Sequence, residues 1–312
     1  MKTLDVLVAG DLYEDLIMSG FDFWPQLGRE SFAKNFQREI GGGTAITASG
    51  LAKLGSKTGI YGLVGAEDGR GLLGRLQHSR VDTNPVEFDE QEPTGFTVVA
   101  TTSEDRAFLS YLGANRRLIP RLLELADDRR LEHVRHVHLA CAPPPDVLGR
   151  LIDGIHSNQC TCSIDVGWHE DWLSNQTVLA VLKKVDLFFP NEVEARQMTG
   201  EEDPVQAIRC MQNAGLRRVA VKMGPRGAAL LWDGEILRVG ALPVEAIDTT
   251  GAGDCFDAGF LYAWLHNMPP DRCLRAGNIC GGFSTRAFGG IAGFPDLEEL
   301  ICELDKEERC AN

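Results

Sequence analysis

The chain of 312 residues is short of positive charge. Lys and Arg total 31 against 45 Asp and Glu, a formal net charge of −14. A balance this acidic argues against a nucleic acid or an anionic membrane surface as partner, because both attract basic faces. Nucleotides stay open as ligands, since a pocket for one anion can be built from backbone. No apolar run approaches the ~18 residues that a membrane-spanning helix needs. The opening "MKTLDVLVAG" has one Lys and a short apolar run, but Asp11, Glu14 and Asp15 follow at once, so it reads as a first strand rather than a targeting signal. The nine cysteines lack paired C-x-x-C spacing, so buried free thiols in a reducing compartment, the cytoplasm, are expected. His133, His136 and His138 lie in a β-like run without an acidic or Cys partner, and read as strand histidines rather than metal ligands. Repeats, low-complexity tracts and long linkers are also missing, which leaves one domain over residues 1–312. Two nucleotide motifs are absent as well. There is no G-x-x-x-x-G-K-[ST] before a helix, and no G-x-G-x-x-G after the first strand.

What is present alternates. "LDVLVAG", "TGIYGLVG", "VRHVHLAC", "CTCSIDVG", "VDLFFP", "RRVAVKMG" and "GAALLW" read as strands, several too apolar for a half-exposed sheet. Between them lie helical patterns: "TAITASGLAKLG", "GRGLLGRLQHS", "PDVLGRLIDGIHS", "NEVEARQMTG" and "DPVQAIRCMQNAG". Gly55 closes the first and Gly215 the last, as helix C-termini do. Such βα alternation predicts an α/β fold with a mainly parallel central sheet flanked by helices. A TIM barrel is the alternative, but residues 12–40 and 94–116 do not join the alternation. Those two segments read as short antiparallel strands outside the main sheet, a small β appendage.

The chemistry concentrates in "AIDTTGAGDCFDAGFLYAW". Gly251, Ala252 and Gly253 precede a segment apolar on nearly every face, so they sit at the N-terminus of a buried helix. Bare N–H groups and the helix dipole favour an anion such as phosphate there. Asp254 opens that helix. Beside an anion site, a carboxylate suits proton removal from an attacking hydroxyl during phosphoryl transfer. The plainer reading makes Asp254 an N-cap, a role Asp often fills. A second glycine cluster, Gly41, Gly42 and Gly43, leads into "TAITASGLAKLG" and offers another close-approach loop, with tight helix packing as its plainer reading.

"DTTGAGDCFDAGF" resembles the second signature of the ribokinase-like (PfkB) carbohydrate kinase family, and the likeness runs over nearly the whole chain. "GDLYEDLI" is similar to the opening strand, with Asp15 at the substrate-hydroxyl ligand. "GGGTAITASGLAKLG" is similar to the first signature, "TGFTVV" and "LGAN" to lid segments, "VDLFFPNEVEA" to the N-x-x-E element, "VAVKMGPRGAALL" to the nucleotide strand and loop, and "STRAFGG" to the closing nucleotide loop. The resemblance implies an ATP-dependent kinase of a sugar or sugar acid. Asp254 is then the general base, with the amides of Gly251, Ala252 and Gly253 as anion hole. Asp15, Gly41, Gly42, Gly43 and Ile46 line the acceptor. Asn191 and Glu194 organise Mg²⁺ through water and phosphate. Lys222, Gly224, Gly227 and Asn278 border the nucleotide, with Arg226 between the two glycines. Asp248 and Thr250 match a monovalent-cation position, filled by K⁺. The appendage over 12–40 and 94–116 is the substrate lid, which also serves relatives as a homodimer surface.

Three departures stand out. Ile46 occupies a position where the family has an Asn that holds sugar hydroxyls, and the family's Asp-x-Asn appears as Asp165, Val166, Gly167. "VGAEDGRG" is one residue off the usual spacing. An apolar Ile46 asks for a deoxy or apolar edge on the acceptor, unless the side chain has turned into the core. A nucleoside kinase of the same fold is therefore the second reading. A nucleotide- or sugar-binding sensor without catalysis is the third.

Overall fold

Leu4–Gly10 forms the first strand, and five of its seven residues are buried, as an apolar run covered on both faces should be. Its alternate side chains feed two cores. Val6 and Val8 join the cluster under the helices Gly43–Lys53, Ala252–Leu265 and Pro270–Ser284, while Leu7 and Ala9 join the cluster under Leu118–Asp127, Pro145–Ser157 and Pro204–Asn213. The coordinates are a computed structural model that describes residues 2–311 except 22, 25, 103–105 and 128.

The main sheet has eight strands in the order Glu235–Val239, Ala228–Trp232, Arg218–Lys222, Leu187–Phe188, Thr161–Asp165, Val134–Ala140, Leu4–Gly10, Thr58–Tyr61. The six from Thr58–Tyr61 to Arg218–Lys222 run parallel, and the last two add an antiparallel hairpin at one edge. The α/β architecture is the one the alternation predicts, and the sheet is open rather than a barrel. Among the described residues, no helix is long and apolar enough to cross a membrane.

The appendage is a separate four-stranded sheet: Asn35–Gly41, Tyr13–Ser19, Gly95–Thr101, Arg106–Tyr111. The expectation of antiparallel strands holds for the two outer pairs only. Tyr13–Ser19 and Gly95–Thr101 pair in parallel, because both leave the body at the same root, where Tyr13 lies opposite Gly95. Asn115 fastens that root by accepting from the Leu12 amide at 3.0 Å and donating to the Leu12 carbonyl at 2.9 Å. Strand register puts Tyr13, Asp15, Ile17, Glu39, Thr97, Val99 and Phe108 on one face. Positions 22, 25 and 103–105 of the two appendage segments lie outside the described residues.

Candidate active site

The parallel strands deliver their carboxyl ends to one rim, the general location of ligand sites in open α/β sheets. Asp11 follows the first strand, Asp165 ends the strand Thr161–Asp165, and Lys222 ends Arg218–Lys222. The 41–43 glycines cross this rim, each backed by a different group. A methyl group on Gly41 would overlap the Asp15 carboxylate. On Gly42 (φ +82°), it would stand 3.1 Å from the Tyr13 ring and 3.2 Å from the Asp11 carbonyl oxygen. On Gly43 it would lie 2.5 Å from Asp254 Oδ1. Side chains are thus excluded by the functional groups themselves. The run also brings Asp15 of the small sheet and Asp254 of the main body to one place.

The helix Ala252–Leu265 begins two residues before Asp254. Gly251, in the left-handed region at φ +70°, is its N-cap, with no side-chain cap bond. Asp254 is therefore the third helical residue, and capping does not explain it. Ala252 donates its N–H to the Thr249 carbonyl at 3.3 Å, while the amides of Gly251 and Gly253 have no protein acceptor among the described residues. Of the three amides expected to form an anion hole, those of Gly251 and Gly253 are thus open and that of Ala252 is engaged. Ile46 is 3% exposed, and methyl groups on Gly251 or Gly290 would reach within 2.8 and 2.6 Å of its Cδ1. Its side chain is spent on packing behind the turn.

Beneath Asp254 lies a buried charge cluster. Lys222 Nζ is 2.5 Å from Asp165 Oδ2, and 3.3 and 3.4 Å from the two oxygens of Asp257, which is fully buried. Burial works against the ammonium, but Asp165, Asp257 and Glu194 outweigh it and push the Lys222 pKa well up. Burial also opposes ionised Asp165, yet Lys222, a hydrogen bond from Asp257 and the Gly167 amide hold it at about 2. Asp257 itself is pushed well up, chiefly by burial. Burial and then the Asp165 charge raise Asp254 to about 7, and the same two causes raise Glu194 to about 7. Near the start of the glycine run, burial lifts Asp11 to about 6, and burial with Glu39 nearby lifts Asp15 to about 6.

The remaining sequence-selected residues surround this centre. Asn191 and Glu194 form a reciprocal capping box on Glu192–Thr199. Glu194 Oε2 accepts from the Asn191 amide at 2.8 Å and Oε1 from Asn191 Nδ2 at 2.6 Å. With both oxygens engaged, the pair suits a hydrated Mg²⁺ held through water and phosphate, and a raised carboxyl group beside such an ion gains a counter-charge. Gly224 and Gly227 bracket a short 3₁₀ turn against the Val239 carbonyl, and Arg226 pairs with Glu192. Asn278 donates to the carbonyls of Val239 and Gly240, both at 3.1 Å, so it secures the strand end that backs Gly227. Asp248 accepts from the amides of Thr250 at 2.9 Å and Gly289 at 3.0 Å, clamping the turn before the helix. Two of the three histidines are buried in the core, where His136 bonds Thr161 and Ser163 and His138 bonds Ser163, while His133 is exposed.

Sequence reasoning passed over Asp11 and Asp257. Asp11 directly follows the last strand residue, and Asp257 is three residues from Asp254, hence on the same helix face. Those spacings were the available signals.

The sequence pattern described as "pfkB family carbohydrate kinase" matches residues 15–297. An ATP-dependent ribose-1-phosphate kinase of Halopiger xanaduensis is 31% identical over 306 residues, covering 96% of this chain and 98% of the relative. The Arabidopsis thaliana ribokinase solved with ribose and ATP superposes with TM-score 0.84 at 25% identity, covering 97% of this chain and 99% of that one. In fold alone, an E. coli ribokinase II candidate solved with ATP and Mg²⁺ matches with TM-score 0.82 at 23% identity, over 97% and 100% of the two chains.

Proposed function

The chain belongs to the pfkB family of carbohydrate kinases, and from that premise we propose that it moves the γ-phosphoryl group of ATP onto a hydroxyl of an uncharged sugar or sugar-like ring. Phosphorylation of a sugar or related substrate with ATP is the activity its relatives are named for. Asp254 accepts the proton of the attacking hydroxyl. The acceptor oxygen forms the new O–P bond, the bond from the γ-phosphorus to the bridging oxygen breaks, and ADP leaves. The Gly251 and Gly253 amides hold the phosphoryl oxygens as charge shifts. Mg²⁺, when bound with ATP, neutralises phosphate charge; the Asn191–Glu194 pair is its supporting edge.

The observation that carries this reading is the seating of Asp254 against Gly43, at the mouth of an uncapped helix and with a carboxyl raised to about 7. A base of that pKa is about half ionised at neutral pH and a competent proton acceptor.

The acceptor class follows from charge. Asp15 and Glu39 stand together at the acceptor end, and a carboxylate or phosphate placed there would meet like charge. Hydroxyl donors instead satisfy the carboxylates. This favours neutral pentoses, hexoses or nucleosides over sugar acids, and it departs from the sugar phosphate in the name of the Halopiger relative. An ADP-release panel over ribose, fructose, nucleosides, ribose-1-phosphate and keto-deoxy sugar acids tests it. The fastest acceptor by kcat/KM is expected to be neutral, and an anionic one at the head of the list overturns the assignment.

Asp15 rides on the small sheet, so acceptor binding and sheet position are linked. Amide exchange over residues 12–40 and 94–116 is expected to slow when the acceptor is added, as a closing lid requires. Unchanged exchange in both segments makes the sheet a static wall.

A further inference from the structure

Four ionisable side chains meet under the phosphate end of the site, and only Asp254 has a part in the reaction described so far. Lys222 and Asp165 end two strands of the main sheet that flank Leu187–Phe188, Asp257 lies on the catalytic helix, and all three are largely or wholly buried. A methyl group on Gly253 would stand 3.3 Å from Lys222 Nζ. The ammonium therefore lies against Gly253, in the space a side chain there would take. We infer that Lys222 is a third donor of the phosphate cradle, and that Asp165 and Asp257 are positioning residues that fix its ammonium beneath Gly253. The inference rests on the phosphoryl-transfer reading above and extends it to residues outside the Gly-Ala-Gly turn.

The geometry restricts what else the cluster can be. Asp165 alone, at 2.5 Å, supplies one counter-charge to Lys222. Asp257 approaches with both oxygens, at 3.3 and 3.4 Å, and hydrogen-bonds Asp165 as well. Two carboxyl groups share a hydrogen bond only when one of them is protonated. Asp257, with no exposed surface, is the proton holder. The three side chains then comprise one ammonium, one carboxylate and one neutral acid, with Asp254 and Glu194 as further acidic neighbours. Two anchors restrain a flexible four-carbon stem better than one, and a compact ammonium makes a point contact with phosphate oxygens. The turn above is too small to shield it, because Gly253 carries no side chain.

A structural ion pair would explain the same contacts, so the test separates a counter-ion from a donor. Lys222→Met is expected to lower kcat roughly 10²-fold, the usual cost of removing one donor from a charge-stabilising site, with the fastest acceptor of the panel above. The double variant Lys222→Met/Asp165→Asn removes both charges together, so the core stays balanced and its thermal midpoint should return toward wild type. Its kcat should nevertheless remain as low as that of Lys222→Met. Recovery of wild-type kcat in the double variant would make Lys222 a mere counter-ion and overturn the inference. Asp257→Asn keeps a neutral hydrogen-bonding group and is expected to restore most of the activity that Asp257→Leu loses. An Asn variant as impaired as the Leu variant refutes the positioning role. Asp254→Asn is the reference. If it stays active, the base assignment fails; if it is inactive while the double variant runs normally, only the present inference falls.

Discussion

Asp254→Asn is expected to lower kcat by about 10²–10⁴, the range a positioned general base contributes, while leaving ATP-induced thermal stabilisation in place. The amide is nearly the same size as the carboxylate and fits against Gly43, so geometry is kept and only proton acceptance is lost. The pH profile carries the same signature. Asp254 is held at about 7 by burial and the Asp165 charge, so kcat/KM for wild type should fall about tenfold per pH unit below that value. Stability moves the other way. A carboxyl group whose pKa is raised on folding contributes stability below its unfolded value, near 3.8, and that contribution is lost as pH rises through about 7. At pH 8 the wild type holds an ionised Asp254 at a cost, and the Asn variant should melt no lower and preferably higher. A variant that keeps more than a tenth of wild-type kcat ends the assignment.

Gly43→Ala is expected to reduce kcat about 10²-fold, the scale on which a 1 Å misplacement of a catalytic group is felt, without weakening the fold. The new methyl carbon would stand 2.5 Å from Asp254 Oδ1, so the carboxylate must swing away. The backbone asks for no glycine here, because Gly43 begins the helix Gly43–Lys53 outside the left-handed region. Alanine is the better helix former, by up to about 1 kcal/mol. Catalysis and stability should therefore part company: kcat falls while the thermal midpoint holds or rises. Kinetics within threefold of wild type would show that Asp254 does not use the seat against Gly43. Gly41→Ala displaces Asp15 instead, and its effect belongs on the acceptor KM.

Much of the fold was legible because the buried parallel strands are nearly continuous apolar runs, "LDVLVAG" and "VRHVHLAC" among them. The strand Glu235–Val239 was harder, since only three of its five residues are even half-buried and it begins with a charge. The Asp233–Gly234 pair before it, both at positive φ, was the available hairpin signal. At the site, contiguous features were readable: the Gly-Ala-Gly turn, the 41–43 run and the N-x-x-E capping box each lie within a few residues. Whether Asp254 capped the helix could not be read locally, because a cap and a third-position carboxylate stand only three residues apart. The Lys222 cluster was beyond sequence reading altogether. Its partners stand 57 and 35 residues from the lysine, and only the strand order brings them together.

The glycine run also acts as a ruler. Asp15 and Asp254 abut Gly41 and Gly43, and two residues of chain reach at most about 7 Å. If the two carboxylates act as proposed, recognition and reaction are gauged over one short interval, about the breadth of a single sugar ring with its hydroxyls. Whatever an acceptor carries inside that interval is inspected at both ends. Whatever it carries beyond is measured by neither carboxylate, so substituents that point outward, a base included, would face the small-sheet side that bears Ile17, Val99 and Phe108. Selectivity should then be steep for the ring and shallow for its attachments.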